Sequence, residues 1–172
     1  KYNPTPRHYS KVYLLLKVYQ MPSKAYTSAG TTLLVSDTVP SASTVAEFDL
    51  LDFTEVGEVS DLGDFGASDS IIEFYEVGSN EPKQIIGNRS YGSLTLTMAA
   101  AREDDGQAVI QQSRRNRQRC SFQMTTPNPD VYYFTGVISN YSVSIGGPDQ
   151  IVSATVTVEL DSEFVVDEDI II

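Results

Sequence analysis

The sequence predicts a mainly β domain, an antiparallel sheet rolled around one core with a single helix alongside. Three observations carry that expectation. Apolar and polar residues alternate with period two along several runs, most plainly Ile151-Val-Ser-Ala-Thr-Val-Thr-Val-Glu-Leu160 and Gly92-Ser-Leu-Thr-Leu-Thr-Met98, as strands with one buried and one wet face do. Turn clusters such as Thr126-Pro-Asn-Pro-Asp130 and Gly146-Gly-Pro-Asp149 separate the runs. Only one stretch carries helix signals at both ends. At 172 residues the chain fits one domain and is long enough to bury a core without metal or disulfide help.

In chain order, residues 1 to 20 read unlike the rest. Lys1-Tyr-Asn-Pro-Thr-Pro-Arg-His-Tyr-Ser10 is basic and aromatic, whereas Met21 opens a small-residue arm, so we expect the native polypeptide to begin at Met21; the alternative is a genuine basic arm. Thr31-Thr-Leu-Leu-Val-Ser36 is a short strand, and Asp37 to Thr44 is loop by its Pro and Ser content. Phe53-Thr-Glu-Val-Gly-Glu-Val59 alternates carboxylates with small or apolar residues, a strand with an acidic wet face. About thirty residues of little regular pattern follow, a length that is usually functional or ordered by a partner. Within them Ile71-Ile-Glu-Phe-Tyr-Glu-Val77 has strong strand propensity.

After the strand Gly92 to Ala99, Asp104 or Asp105 can cap a helix of about three turns, spanning about 104–117. Arg114, Arg115 and Arg117 fall where cations favour the negative end of the helix dipole. Cys120 to Thr125, Val131 to Ile138, Asn140 to Ile145 and Ile151 to Leu160 then read as strands.

Charge is distributed unevenly. Residues 1–24 hold five cations and no acid, residues 37–82 hold twelve acids and no cation, and residues 25–172 net −16 within a whole-chain −11. Such an excess opposes sequence-specific nucleic-acid binding, which draws most of its affinity from Lys and Arg on phosphates. The longest apolar run, Val12 to Leu16, is far below the span of a bilayer, so no membrane segment is expected.

No catalytic residue, cofactor site or metal site is expected. Cys120 stands beside Arg119, but the one histidine, His8, lies in the leader; a core-edge strand cysteine is the simpler reading. Asp61, Asp64 and Asp69 do not match a calcium-loop spacing and read as a solvated acidic face. Asn88-Arg-Ser and Asn140-Tyr-Ser match a glycosylation sequon that arises easily by chance. The cluster Arg114, Arg115, Arg117 and Arg119 has two readings, dipole compensation with solubility, or a seam that pairs with the acidic strands of a neighbouring copy.

Four stretches carry a family resemblance. Thr54-Glu-Val-Gly-Glu-Val-Ser-Asp-Leu-Gly-Asp-Phe-Gly66, the strand from Gly92, the helix opening Asp104-Asp-Gly-Gln107 and Tyr133-Phe-Thr-Gly-Val-Ile138 resemble the major tail tube proteins of long, non-contractile-tailed bacteriophages, across roughly Thr31 to Leu160. The resemblance implies a rolled β-sandwich or barrel with one flanking helix, similar to type VI secretion tube proteins. It implies hexameric rings stacked into a hollow tube, with strands paired between neighbours and an acidic lumen that lets DNA slide through.

Under that reading the ring-stacking loop is Asp61 to Tyr91, with Asp61, Asp64, Phe65, Ile72, Phe74 and Tyr75 as its candidate contacts, and the arms are Met21 to Gly30 and Glu163 to Ile172. Glu55, Glu58 and Glu73 are the candidate lumen acids. The implied partners are further copies of the chain, tape measure, tail tip and tail terminator proteins, and DNA only transiently, within a phage tail assembled in the bacterial cytoplasm. Two rivals are a tube subunit of a related injection device, such as a gene transfer agent or tailocin, and a monomeric β-sandwich binding module. The absence of Trp counts against a glycan module.

Overall fold

The structure, a computed structural model, describes residues 26–78, 81–128 and 130–167. The leader with His8, the Met21 start, the first part of the N-terminal arm and the end of the C-terminal arm fall outside the described residues.

Alternation in the sequence becomes one curled antiparallel sheet. Its strands are β1 (Thr32–Ser36), β2 (Thr54–Glu55), β3 (Val59–Asp61), β6 (Ser93–Ala99), β7 (Arg119–Thr125), β8 (Val131–Ser144), β9 (Ser153–Leu160) and β10 (Val165–Asp167), in the order β2-β1-β7-β8-β9-β6-β3 with β10 added to β8. Strands β4 (Ser68–Tyr75) and β5 (Pro82–Ser90) form a separate hairpin. Two helices complete the described fold, α1 (Val45–Phe48) and α2 (Asp105–Asn116).

The two ends of the sheet, β2 and β3, belong to one short segment. Residues 54–56 bond to β1, with Val56 N–H donating to Leu33 O at 2.8 Å, and Ala99 N–H on β6 donates to Glu58 O at 2.9 Å. The stretch read from sequence as a single strand is therefore split at Gly57 and Glu58, where Glu58 takes a left-handed φ of 58°. That kink turns the segment from one sheet edge to the other. The fold is a rolled β-barrel with a flanking helix, as the sequence predicts.

One core fills the roll. Leu94, Leu96 and Met98 of β6 interleave with Val156 and Val158 of β9 and with Phe122 and Phe134, whose rings stack at 5.3 Å, all fully buried. Each such side chain contributes on the order of 1.5–3 kcal/mol of transfer free energy. The first half of β8 is covered on its other face as well. There Phe48 of α1 stacks on Tyr133 at 5.1 Å, and the Tyr133 hydroxyl donates to Asp49 Oδ1 at 2.9 Å.

Four features depart from the sequence reading. Helix α1 has no counterpart in the sequence reading, because its one turn is too short for a 3.6-residue period to register. The spacing Thr44-x-x-Glu47 spells a capping box, although Thr44 makes no side-chain cap bond. Val131–Ile138 and Asn140–Ile145, read as two strands, are one 14-residue strand with a bulge between Ile138 and Asn140. The irregular stretch after Asp61 contains the β4–β5 hairpin. Finally, the described part of the C-terminal arm is folded back, with β10 paired to Val131–Tyr133 and Phe164 packed edge-on against Phe65 at 5.5 Å.

Candidate assembly interface

Helix α2 holds the closing kink in place. Asp104 caps the helix by accepting from Gln107 N–H at 2.7 Å, and its second oxygen accepts from Gly57 N–H at 2.9 Å. Buried Gln107 donates through Nε2 to Gly57 O at 3.2 Å and Ala99 O at 2.9 Å, while its Oε1 accepts from Ala101 N–H at 3.1 Å. Gly106 lets the helix approach; a Cβ there would lie 2.3 Å from Glu55 O. The Asp-Asp-Gly-Gln opening is thus a clasp. It caps a helix and satisfies the backbone that the kink would otherwise orphan.

The outer half of the sheet presents an open hydroxyl face. Thr95 and Thr97 on β6 lie opposite Thr157 and Thr155 on β9, which in turn lie opposite Asn140 and Ser142 on β8. The alternate positions Leu94, Leu96, Val156 and Val158 are fully buried, so the hydroxyls share the outward face. In this register Asp61 of β3, opposite Thr97, and Glu159 of β9 add carboxylates to it. Both lateral edges lack a partner strand among the described residues. Strand β3 ends the sheet, and β8 keeps β7 beside it only to Val137, leaving Ser139–Ser144 open on that side.

The β4–β5 hairpin is exposed on both faces. Ile71 pairs with Ile86 on one face and Ile72 with Ile85 on the other, and these four are 64, 73, 56 and 55 % exposed. Phe74, Tyr75 and Val77 are exposed too. Arg89 pairs across the hairpin with Asp69 at 3.0 Å and ties the hairpin to Glu163 at 3.2 Å, exposed pairs that add little. A two-stranded ribbon with apolar side chains on both faces needs a covering surface.

The sequence-predicted residues divide among these features. Ile72, Phe74 and Tyr75 lie on the hairpin, whereas Phe65 is half-buried against Tyr132, Phe134 and Phe164, an anchor rather than a free contact. Asp61 belongs to β3, and Asp64 is exposed on the crossing that follows. Glu55 and Glu58 line a cleft of about 250 Å³ behind the terminal strand, with Val59 and Leu62. Glu73 lies on the hairpin and accepts from Gln84 Nε2 at 2.6 Å.

Among the arginines, Arg119 is paired with Asp161, apart from the other three. Arg117 is the left-handed C-cap of α2, and Arg114 and Arg115 flank Tyr141 on the free half of β8. Burial raises the Asp161 carboxyl, but hydrogen bonds from Arg119 and Thr135 outweigh it and hold the group below its ordinary value. Burial pushes the Cys120 thiol up, away from the thiolate that chemistry would need. Among the described residues no group of three or more metal-ligating side chains forms, and no helix is long and apolar enough to cross a membrane.

Sequence reasoning missed Gln107, Asn140 and Ser142 as individual residues. The first is spelled in the helix opening, and the others continue the Thr/Ser alternation of β6 and β9.

No curated protein matches the chain in sequence. Solved structures share its fold at low identity. A protein of the six-fold symmetrised anti-feeding prophage baseplate aligns with TM-score 0.59 at 9 % identity, covering 84 % of this chain and 97 % of its own. The sheath/tube terminator structure of the extracellular contractile injection system PVC gives TM-score 0.57 at 9 % identity, covering 83 % and 96 %. The SPP1 tail tube gives TM-score 0.53 at 14 % identity, covering 80 % and 76 %. A family profile described as "Phage tail tube protein, TTP" matches residues 18–166, most of the sequence. The family is structural, not enzymatic, and its place is the virion tail. The chain belongs to the phage tail tube protein family.

Proposed function

We propose that this tube subunit closes into hexameric rings that stack into a hollow tail tube, with the hydroxyl face lining a lumen through which DNA passes during injection. The observation that carries the reading is the open hydroxyl face of β3, β6, β9 and outer β8, bounded on each side by a strand edge that has no partner among the described residues. Strands β8, β9, β6 and β3 alternate in direction, so β3 of one copy can accept β8 of the next as an antiparallel neighbour. Repeated around an axis, this contact removes every lateral edge. Threonine and serine hydroxyls give the wall short, neutral side chains, and Asp61 and Glu159 add charge that repels phosphate. The β4–β5 hairpin reaches the adjacent ring and buries its isoleucines there. Tape measure, tail tip and terminator proteins complete the tail at its core and its ends.

Negative-stain electron microscopy of the purified chain across a concentration series tests this, beside a variant lacking residues 68–90. Rings or tubes from the intact chain, and rings without tubes from the variant, are expected. A chain that stays monomeric at every concentration would instead favour a binding module and send the inquiry to a ligand screen.

A further inference from the structure

Charged residues of opposite sign stand behind the two edges that lack a partner strand among the described residues. On the free half of β8, Tyr141 lies opposite buried Val156 and so turns away from the hydroxyl face. There its hydroxyl accepts from Gln111 Nε2 at 2.9 Å, and Arg114 and Arg115 complete a groove with these two residues. Both arginines are exposed, and neither enters an ion pair among the described residues. Behind the opposite edge, Glu55 and Glu58 line the cleft beside β3, also exposed and also without an ion pair among the described residues. Residues 25–82 contain no lysine or arginine, so no cation of the surrounding sequence is at hand to neutralise them.

Placing β8 of one copy against β3 of the next carries α2 of the first behind the terminal strand of the second. We infer that Arg114 and Arg115 of each copy pair with Glu55 and Glu58 of its neighbour and lock the lateral seam of the ring. This inference rests on the ring assembly proposed above. It assigns Glu55 and Glu58 to the seam instead of the lumen, and it leaves out Arg119, which Asp161 already holds. Such pairs select the partner edge, since a copy docked on the wrong side would set arginine against arginine or carboxylate against carboxylate.

Charge exchange tests the seam. Wild type, Arg114→Glu/Arg115→Glu, Glu55→Lys/Glu58→Lys and an equimolar mixture of the two variants are compared by sedimentation velocity and electron microscopy. All four positions are exposed, and melting curves of the monomers confirm that folding is retained. Each variant alone is expected to raise the concentration needed for ring formation by about tenfold or more. The mixture is expected to recover rings, because alternating copies restore an opposite-charge contact at every seam of an even-membered ring. Variants that assemble like wild type, or a mixture that stays as poor as its components, would overturn the seam while leaving the tube subunit intact. Wild type that forms no ring at any concentration would overturn the ring reading and the seam with it.

Discussion

Two acidic, strand-forming stretches lie within forty residues of each other and meet opposite fates. Residues 54–61 are bonded at both ends, β2 to β1 and β3 to β6, and are clasped between them by Asp104 and Gln107. Strands β4 and β5 pair as strands only with each other among the described residues, are tied to the C-terminal segment by the exposed Arg89–Glu163 pair, and expose isoleucines on both faces. Local sequence does not separate them, since both are rich in β-formers and carboxylates. What separates them is where the remaining backbone and apolar groups find partners. The first stretch is anchored within the monomer and keeps only the outer edge of β3 for a neighbour; the second, under the assembly proposed above, is covered by other copies.

The sharpest way to break this contrast is one truncation in each region. Phe134→Ala empties a fully buried site between Phe122 and Phe65 and should cost the monomer about 3–5 kcal/mol by chemical denaturation. Ile72→Ser on the hairpin should leave monomer stability within about 0.5 kcal/mol of wild type, yet reduce tube length seen by electron microscopy. A hairpin substitution that destabilises the monomer as much as the core one would erase the distinction.

The clasp offers smaller effects. Gly106→Ala forces a methyl against the Glu55 carbonyl and should cost about 1–3 kcal/mol, read as a lowered denaturation midpoint. Asp104→Ala removes the helix cap and leaves Gly57 N–H without its acceptor, for about 1–2 kcal/mol by the same measurement.

Much of this was legible in the sequence. Period-two alternation marked β6, β7 and β9, and the cap residues marked α2, because each of these signals is local. The kink at Glu58 was not, since a left-handed glutamate is stabilised there by bonds from residues some fifty positions away, Asp104 and Gln107. Phe65 read as a loop contact because nothing nearby in sequence shows that Tyr132 and Phe164 wait beneath it. The faces of Glu55 and Glu58 were hidden for a related reason. A one-residue shift in register exchanges the faces of a strand, and here the segment pairs with β1 on one side of the kink and with β6 on the other, strands distant in sequence.

The smallest expected effect concerns Asp161. Its carboxyl titrates lower in the folded chain than the ordinary 3.8, so its contribution is present above that value and fades as pH falls through the folded pKa. Asp161→Asn should therefore lower stability at neutral pH by under about 1 kcal/mol, and the gap in melting temperature from wild type should close in acid. A gap that widens in acid would reverse the sign argued here.

The central claim, made under the assembly proposed above, is that the β4–β5 hairpin is covered by neighbouring copies and not by its own chain, and hydrogen–deuterium exchange reads that directly. Amides of β4 and β5 should exchange rapidly in the monomer and become protected in assembled tubes, while those of β6, β9 and the β7-paired first half of β8 are protected in both. A hairpin already protected in the monomer, or one still exchanging freely in tubes, would contradict the account.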